Sequence, residues 1–131
     1  MRTLALEGVL GSGLGEGAGF VALDWVDKQV SDKLGFAPYP GTLNLHLRGG
    51  DWDVVRDAMR TAQGIAIDPP PGFCSAKCFH VRIDDRIDGA VILPEVGDYP
   101  ADKLEVIAPI AVRDALSLGD GDAVTLVLRL G

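Results

Sequence analysis

Cysteine, basic side chains and long apolar runs are all scarce in this chain, and each scarcity removes a class of function. The two cysteines, Cys74 and Cys78, sit in FCSAKCFHV with three residues between them, which on an extended strand sets their Cα atoms roughly 13 Å apart. A direct disulfide is excluded by that distance. With His80 they offer only part of a zinc site, since a structural site needs four ligands and His46 lies far away in sequence; the other reading is buried thiols on a strand. Lys and Arg number 12 against 19 Asp and Glu, for a net charge of −7. Such a field repels phosphodiester backbones and argues against nucleic acid as a partner. No apolar run approaches the roughly 18 residues of a spanning helix, and MRTLALEG does not lead from a basic region into a long apolar stretch as a secretory signal does. The expectation is a soluble, cytoplasmic protein that engages no membrane. No Ser/His/Asp order, metalloprotease helix or paired-carboxylate motif stands out.

What is abundant is glycine, 17 residues, and short β-compatible segments. Thr3 to Leu10 reads as a strand, GSGLGEGAG as a glycine loop, and Phe20 to Leu23 as a second strand. Asp24 to Leu34 spaces Trp25, Val26, Val30 and Leu34 for a helix that Gly35 stops. The alternation Leu43, Leu45, Leu47 predicts a strand with Thr42, Asn44 and His46 on its other face. Asp51 is placed to cap a helix through about Thr61, with Trp52, Val55 and Met59 on one side. Further strands are expected at Lys77 to Ile83, Ala90 to Leu93, Leu104 to Ile107 and Ala123 to Leu130, with a helical turn at Val112 to Leu116. The DDRID turn, Asp84 to Asp88, reads as solvated surface. Many short strands with few short helices predict a mainly β, single-domain closed barrel, because closure removes exposed edges.

Three constellations carry chemistry. In GSGLGEG, Gly11 to Gly17, glycine at alternate positions frees the backbone to turn N–H groups toward one anion, a phosphate above all. The loop lacks the Lys-Ser/Thr of a Walker A motif, and a plain hairpin would use the same glycines. In PGTLN, Thr42 and Asn44 set a hydroxyl and an amide oxygen on one strand face, hard ligands that suit magnesium; ordinary solvent-facing residues are the alternative. In EVIAPIAVR, Glu105 is placed to accept a proton from a hydroxyl or bond a ring edge, and Arg113 to pair with phosphate. Both residue types also stand commonly on plain surface.

Taken together, SGLGEG (12–17), LGFAPYPGTLNLHL (34–47), IDGAVILP (87–94), LEVIAP (104–109) and LSLGDGDAVTL (116–126) resemble, in order and spacing, the archaeal CTP-dependent riboflavin kinases. The resemblance implies a six-stranded cradle-loop barrel that transfers the γ-phosphate of CTP to the 5′-hydroxyl of riboflavin, giving FMN and CDP. It implies that Gly13, Leu14, Gly15, Glu16 and Gly17, with Ile110, Ala111, Val112 and Arg113, hold the nucleotide. Thr42 and Asn44 would hold magnesium and Glu105 would contact the flavin; its place beside that pocket makes Glu105 the candidate catalytic base. Where family members present a flavin-contacting threonine, this chain has Gly97, with Asp98 or Tyr99 as neighbouring substitutes. FCSAKCFHV departs from the family pattern and is expected to line the flavin side. The expectation is a monomeric kinase barrel over residues 1–131, without the N-terminal winged-helix domain of many family members. The rivals are a non-catalytic flavin or nucleotide binding module on the same barrel and a barrel-type DNA-binding regulator, the latter disfavoured by charge.

Overall fold

The computed structural model describes residues 3–11, 22–97 and 99–130. Along the chain run β1 (Thr3–Leu10), α1 (Asp24–Leu34), β2 (Leu43–Arg48), α2 (Trp52–Thr61), β3 (Ile65–Ile67), β4 (Ala76–Ile83), β5 (Ile87–Pro94), β6 (Lys103–Ile107), α3 (Val112–Ala115) and β7 (Ala123–Arg129). The strands pair in the order β3-β4-β5-β6-β2-β1-β7, and β4 also pairs with β7. That last pairing closes six strands, all antiparallel, into a barrel, with β3 added outside the ring.

Period-two patterning fills the barrel. On β7, Val124, Leu126 and Leu128 are buried while Ala123, Thr125, Val127 and Arg129 are exposed. Leu6, Leu10, Leu43, Leu45, Leu47, Leu104 and Val106 join them in one core, which Val55 and Met59 of α2 complete. Strands β4 and β5 depart from the alternation, since almost every residue on them is buried. The cause is α1, whose Val26, Val30 and Leu34 pack on Ile67, Ala76, Cys78, Ala90, Ile92 and Ile107 across the outer face. Burial of those three aliphatic side chains stabilises the docking by roughly 1.5–3 kcal/mol each. Lys33 adds a tie from α1 to the β3 edge, donating to Ala66 O at 2.6 Å and to Asp68 Oδ2 at 3.1 Å. Gly35 ends α1 with φ +85°, a left-handed conformation that costs glycine little.

Four expectations change. Ala22 and Leu23 form the turn that starts α1, so they are no strand; Phe20 and Val21 lie outside the described residues. The edge strand β3 was not foreseen, because three residues between Gly64 and a proline run are too short to show a period. Cys74 is exposed and precedes β4, and only Cys78 is a buried strand thiol. Asp84 is structural: its Oδ1 accepts from Thr125 N at 2.8 Å, and its own N–H donates to Thr125 O at 2.8 Å. That pair fastens the β4–β5 hairpin to β7 while Asp84 and Asp85 take the positive φ values of 48° and 55° that the turn demands. Among the described residues no helix is long and apolar enough to cross a membrane.

Candidate functional site

Strands β2 and β6 pair with Leu43 opposite Val106 and Asn44 opposite Glu105. Since Leu43, Leu45, Leu104 and Val106 enter the core, alternation sends Asn44 and Glu105 to the other face, side by side. Thr42 stands one residue ahead of β2. Its hydroxyl donates to Glu105 Oε1 at 3.1 Å and lies 3.5 Å from Asn44 Oδ1. From the opposite side the Tyr99 hydroxyl donates to Glu105 Oε2 at 2.7 Å. Glu105 is fully buried. Taking a carboxylate out of water costs several kcal/mol unless hydrogen bonds offset it, and the two hydroxyls supply that compensation on separate oxygens.

The oxygens of Thr42, Asn44 and Glu105 also answer whether magnesium fits here. An octahedral Mg²⁺ binds oxygen at about 2.1 Å, so adjacent ligand oxygens stand about 3 Å apart. The separations of 3.1 and 3.5 Å lie within about half an ångström of that spacing. Among the described residues no three His, Cys, Asp or Glu side chains form a metal cluster. A hydroxyl, an amide and one carboxylate suit a hard cation that shares its shell with substrate phosphates, and argue against zinc.

Two clefts flank this centre. Thr42 lines a cleft of about 270 Å³ together with Tyr39, Gly41, Ile110, Ala111, Val112 and Arg113. PGTLN and IAVR, far apart in sequence, thus share one wall. The N–H groups of residues 112–114 open α3, where a helix leaves donors without intrahelical acceptors. Arg113 is already engaged, for its guanidinium pairs with Asp120 and donates to Gly11 O at 3.2 Å. Gly11 in turn donates its N–H to Asn44 O at 2.9 Å, and an added Cβ there would come within 3.0 Å of His46 Nε2. The first residue of the glycine loop is therefore pinned beside Asn44 and α3. Gly13, Leu14, Gly15, Glu16 and Gly17 lie outside the described residues.

The second cleft, about 440 Å³, opens beyond Tyr99 and is lined by Trp52, Arg56, Lys77, Leu93, Val96 and Gly97 among others. A Cβ on Gly97 would meet open space, so this position leaves the cleft wide. Asp98 lies outside the described residues, and Tyr99 is the neighbour that reaches Glu105. Lys77, although only 8% exposed, donates from Nζ to Arg60 O at 2.7 Å and Ala62 O at 2.8 Å, which closes the C-terminus of α2. Arg56 stands over the Tyr99 ring, 5.9 Å from its centroid, and loss of hydration lowers its pKa from the ordinary arginine value. Its Nε is buried with no hydrogen-bond partner among the described residues, at a cost of about 1–3 kcal/mol for such a group. Sequence reasoning did not single out Arg56 or Lys77 and read Trp52 only as part of a helix face. The spacing of Trp52 and Arg56, four apart on one helix, was the available signal. Cys78 and His80 of FCSAKCFHV line a separate hollow with Gly64, Phe79 and Arg129, away from both clefts.

The closed antiparallel barrel thus sets a buried carboxylate and hard oxygen donors between two clefts with room for small-molecule ligands. The family model CTP-dep_RFKase, described as domain of unknown function DUF120, matches residues 10–128. The chain belongs to this CTP-dependent riboflavin kinase family. It is 39% identical over 131 residues to a riboflavin kinase of Methanosarcina mazei, covering 97% of this chain and 57% of that one. It is 41% identical over 132 residues to a riboflavin kinase of Archaeoglobus fulgidus, covering 98% and 56%. With a riboflavin kinase of Pyrobaculum arsenaticum it shares 37% over 137 residues, covering 99% and 63%. The chain thus spans a little over half the length of these relatives.

Proposed function

We propose that this chain is a phosphotransferase that moves the γ-phosphate of CTP to the 5′-hydroxyl of riboflavin, yielding FMN and CDP. The observation that carries the reading is Glu105, whose two oxygens are held by Thr42 from one cleft and Tyr99 from the other. A reaction between two substrates needs two neighbouring sites with reactive oxygens and charge compensation where they meet. Family membership and the three riboflavin kinase relatives support the same reading.

In this proposal the nucleotide occupies the cleft of Thr42 and Ile110 to Arg113, and Gly13 to Gly17 contribute to its binding. The backbone donors there offset the repulsion between a triphosphate and a chain of net charge −7. Arg113 contributes mainly by holding Gly11 and Asp120 in place. Magnesium, held by Thr42 and Asn44, would neutralise phosphate charge when bound. The flavin ring lies in the cleft of Gly97 and Tyr99, with its ribityl chain directed toward Glu105. Glu105 accepts the proton of the 5′-hydroxyl as that oxygen bonds to the γ-phosphorus and the bond from phosphorus to CDP breaks. The state proposed for the chain is a monomer. A nucleoside triphosphate donor supports a cytoplasmic site of action.

The test is turnover and binding of Glu105→Gln and Thr42→Ala beside the unaltered chain. Loss of FMN formation in both, with flavin binding kept in Thr42→Ala, supports the assignment. Near-normal turnover of Glu105→Gln removes Glu105 as the base while leaving the cation site standing.

A further inference from the structure

The cleft beside Tyr99 contains a cation that pairs with no carboxylate among the described residues. Of the three basic side chains on its wall, Arg60 pairs with Asp57, and Lys77 is capped by two backbone carbonyls. Arg56 forms no ion pair with any described carboxylate, and its Nε is buried without a partner. The acidic side chains of the same wall are engaged elsewhere: Asp57 with Arg60, Asp53 with Val54 N–H, and Glu95 with Ser75. The rest of the lining is largely apolar, including Trp52, Leu93, Pro94 and Val96. Such a wall suits a flat ring system, and a planar guanidinium fork suits a ring edge that carries two adjacent acceptors.

We propose that Arg56 is a specificity-determining residue of the acceptor cleft, donating its N–H groups to the carbonyl-bearing pyrimidine edge of the isoalloxazine. This rests on the reading of that cleft as the flavin site. Tyr99 couples the two ends of the arrangement, since its ring lies under Arg56 and its hydroxyl bonds Glu105. A ring anchored by Arg56 at its acceptor edge would send the ribityl chain past Tyr99 toward Thr42 and Glu105. The dimethylbenzene edge has no acceptors for Arg56, so the reversed orientation would leave the guanidinium unsatisfied.

The experiment titrates riboflavin by quenching of flavin fluorescence and 2-thioriboflavin by the shift of its visible absorption, and measures KM for riboflavin and CTP, in the unaltered chain, Arg56→Ala and Arg56→Lys. Loss of a charge-assisted contact predicts a riboflavin Kd and KM raised roughly 10- to 100-fold in Arg56→Ala. The KM for CTP should stay within about twofold, and Arg56→Lys should fall between, since a point charge replaces the fork. Sulfur at position 2 is a poor acceptor, so the unaltered chain should prefer riboflavin while Arg56→Ala binds both flavins alike. Unchanged riboflavin binding in Arg56→Ala, a rise in CTP KM instead, or a preference for riboflavin that survives in the variant overturns the inference. If Arg56→Ala does not fold, the same preference measured in Arg56→Lys and Arg56→Gln decides it, with equal preference in all three chains counting against. Riboflavin binding without FMN formation removes the kinase reading while Kd still decides Arg56; no riboflavin binding by the unaltered chain removes both.

Discussion

Tyr99 and Glu105, six residues apart across the β5–β6 connection, meet through a 2.7 Å hydrogen bond from the phenol to Oε2. The contact connects the wall of one cleft to a buried carboxylate whose other oxygen is held by Thr42 at the next cleft. Tyr99→Phe deletes the donor and little else. A lost hydrogen bond to a carboxylate costs about 1.5–3 kcal/mol, so the melting temperature should fall and the riboflavin KM should rise. Calorimetry and steady-state kinetics check both; an unchanged melting temperature would show that Glu105 is satisfied without Tyr99.

At the proposed magnesium site, Thr42→Ala and Asn44→Ala should each lower kcat by about 100-fold or more, the scale of losing transition-state charge stabilisation. Raising magnesium should restore part of the Asn44→Ala activity, because a weakened site is refilled by mass action. A variant that is misfolded by circular dichroism, with no rescue, would make Asn44 a structural residue.

Strand packing makes a separate demand at Gly89. A Cβ there would fall 2.5 Å from Ile107 O, a backbone atom of the neighbouring strand. Gly89→Ala should therefore push β5 from β6, with a loss of about 1–3 kcal/mol as in overpacked cores. Denaturant unfolding measures it, and an equal midpoint would show that the strands separate freely.

The two cysteines differ in reactivity and in pH response. Cys74 is exposed, whereas burial pushes the Cys78 thiol up to about 12. One thiol should react with a chromogenic disulfide in the native state and two after unfolding. The raised pKa means the unfolded chain releases this proton first, at the ordinary thiol value near 8.5. Stability from the neutral thiol is thus complete below that pH and declines on the order of 1.4 kcal/mol per unit until pH approaches the native value. The stability gap between the unaltered chain and Cys78→Ala should narrow over that window. A gap constant from pH 8 to 11 would contradict the burial argument.

The barrel was legible because its strands obey a period of two. Leu43, Leu45 and Leu47 announced both the core face and, between them, the face that carries Asn44 and His46. The helix at Asp24 to Leu34 was equally plain from its apolar spacing and its glycine stop. What escaped was tertiary. Helix α1 makes β4 and β5 buried on both faces, so no alternation marks which of their residues face outward. Thr42 and Glu105 were candidates from PGTLN and EVIAPIAVR, with plain surface as the alternative, but that they meet follows only from the β2–β6 register that sets Asn44 opposite Glu105. Arg56 gave no sign beyond its helical spacing to Trp52, because its lack of a partner is a property of the folded cleft.

The central claim is that CTP and riboflavin meet across Glu105. Its most direct test is a chromatographic assay of the purified chain with riboflavin, magnesium and each nucleoside triphosphate in turn. The account predicts FMN with CTP well above ATP, and its loss in Thr42→Ala. No FMN with any donor, while CDP or FMN still raises the melting temperature, would contradict the kinase reading and leave a binding module on the same barrel.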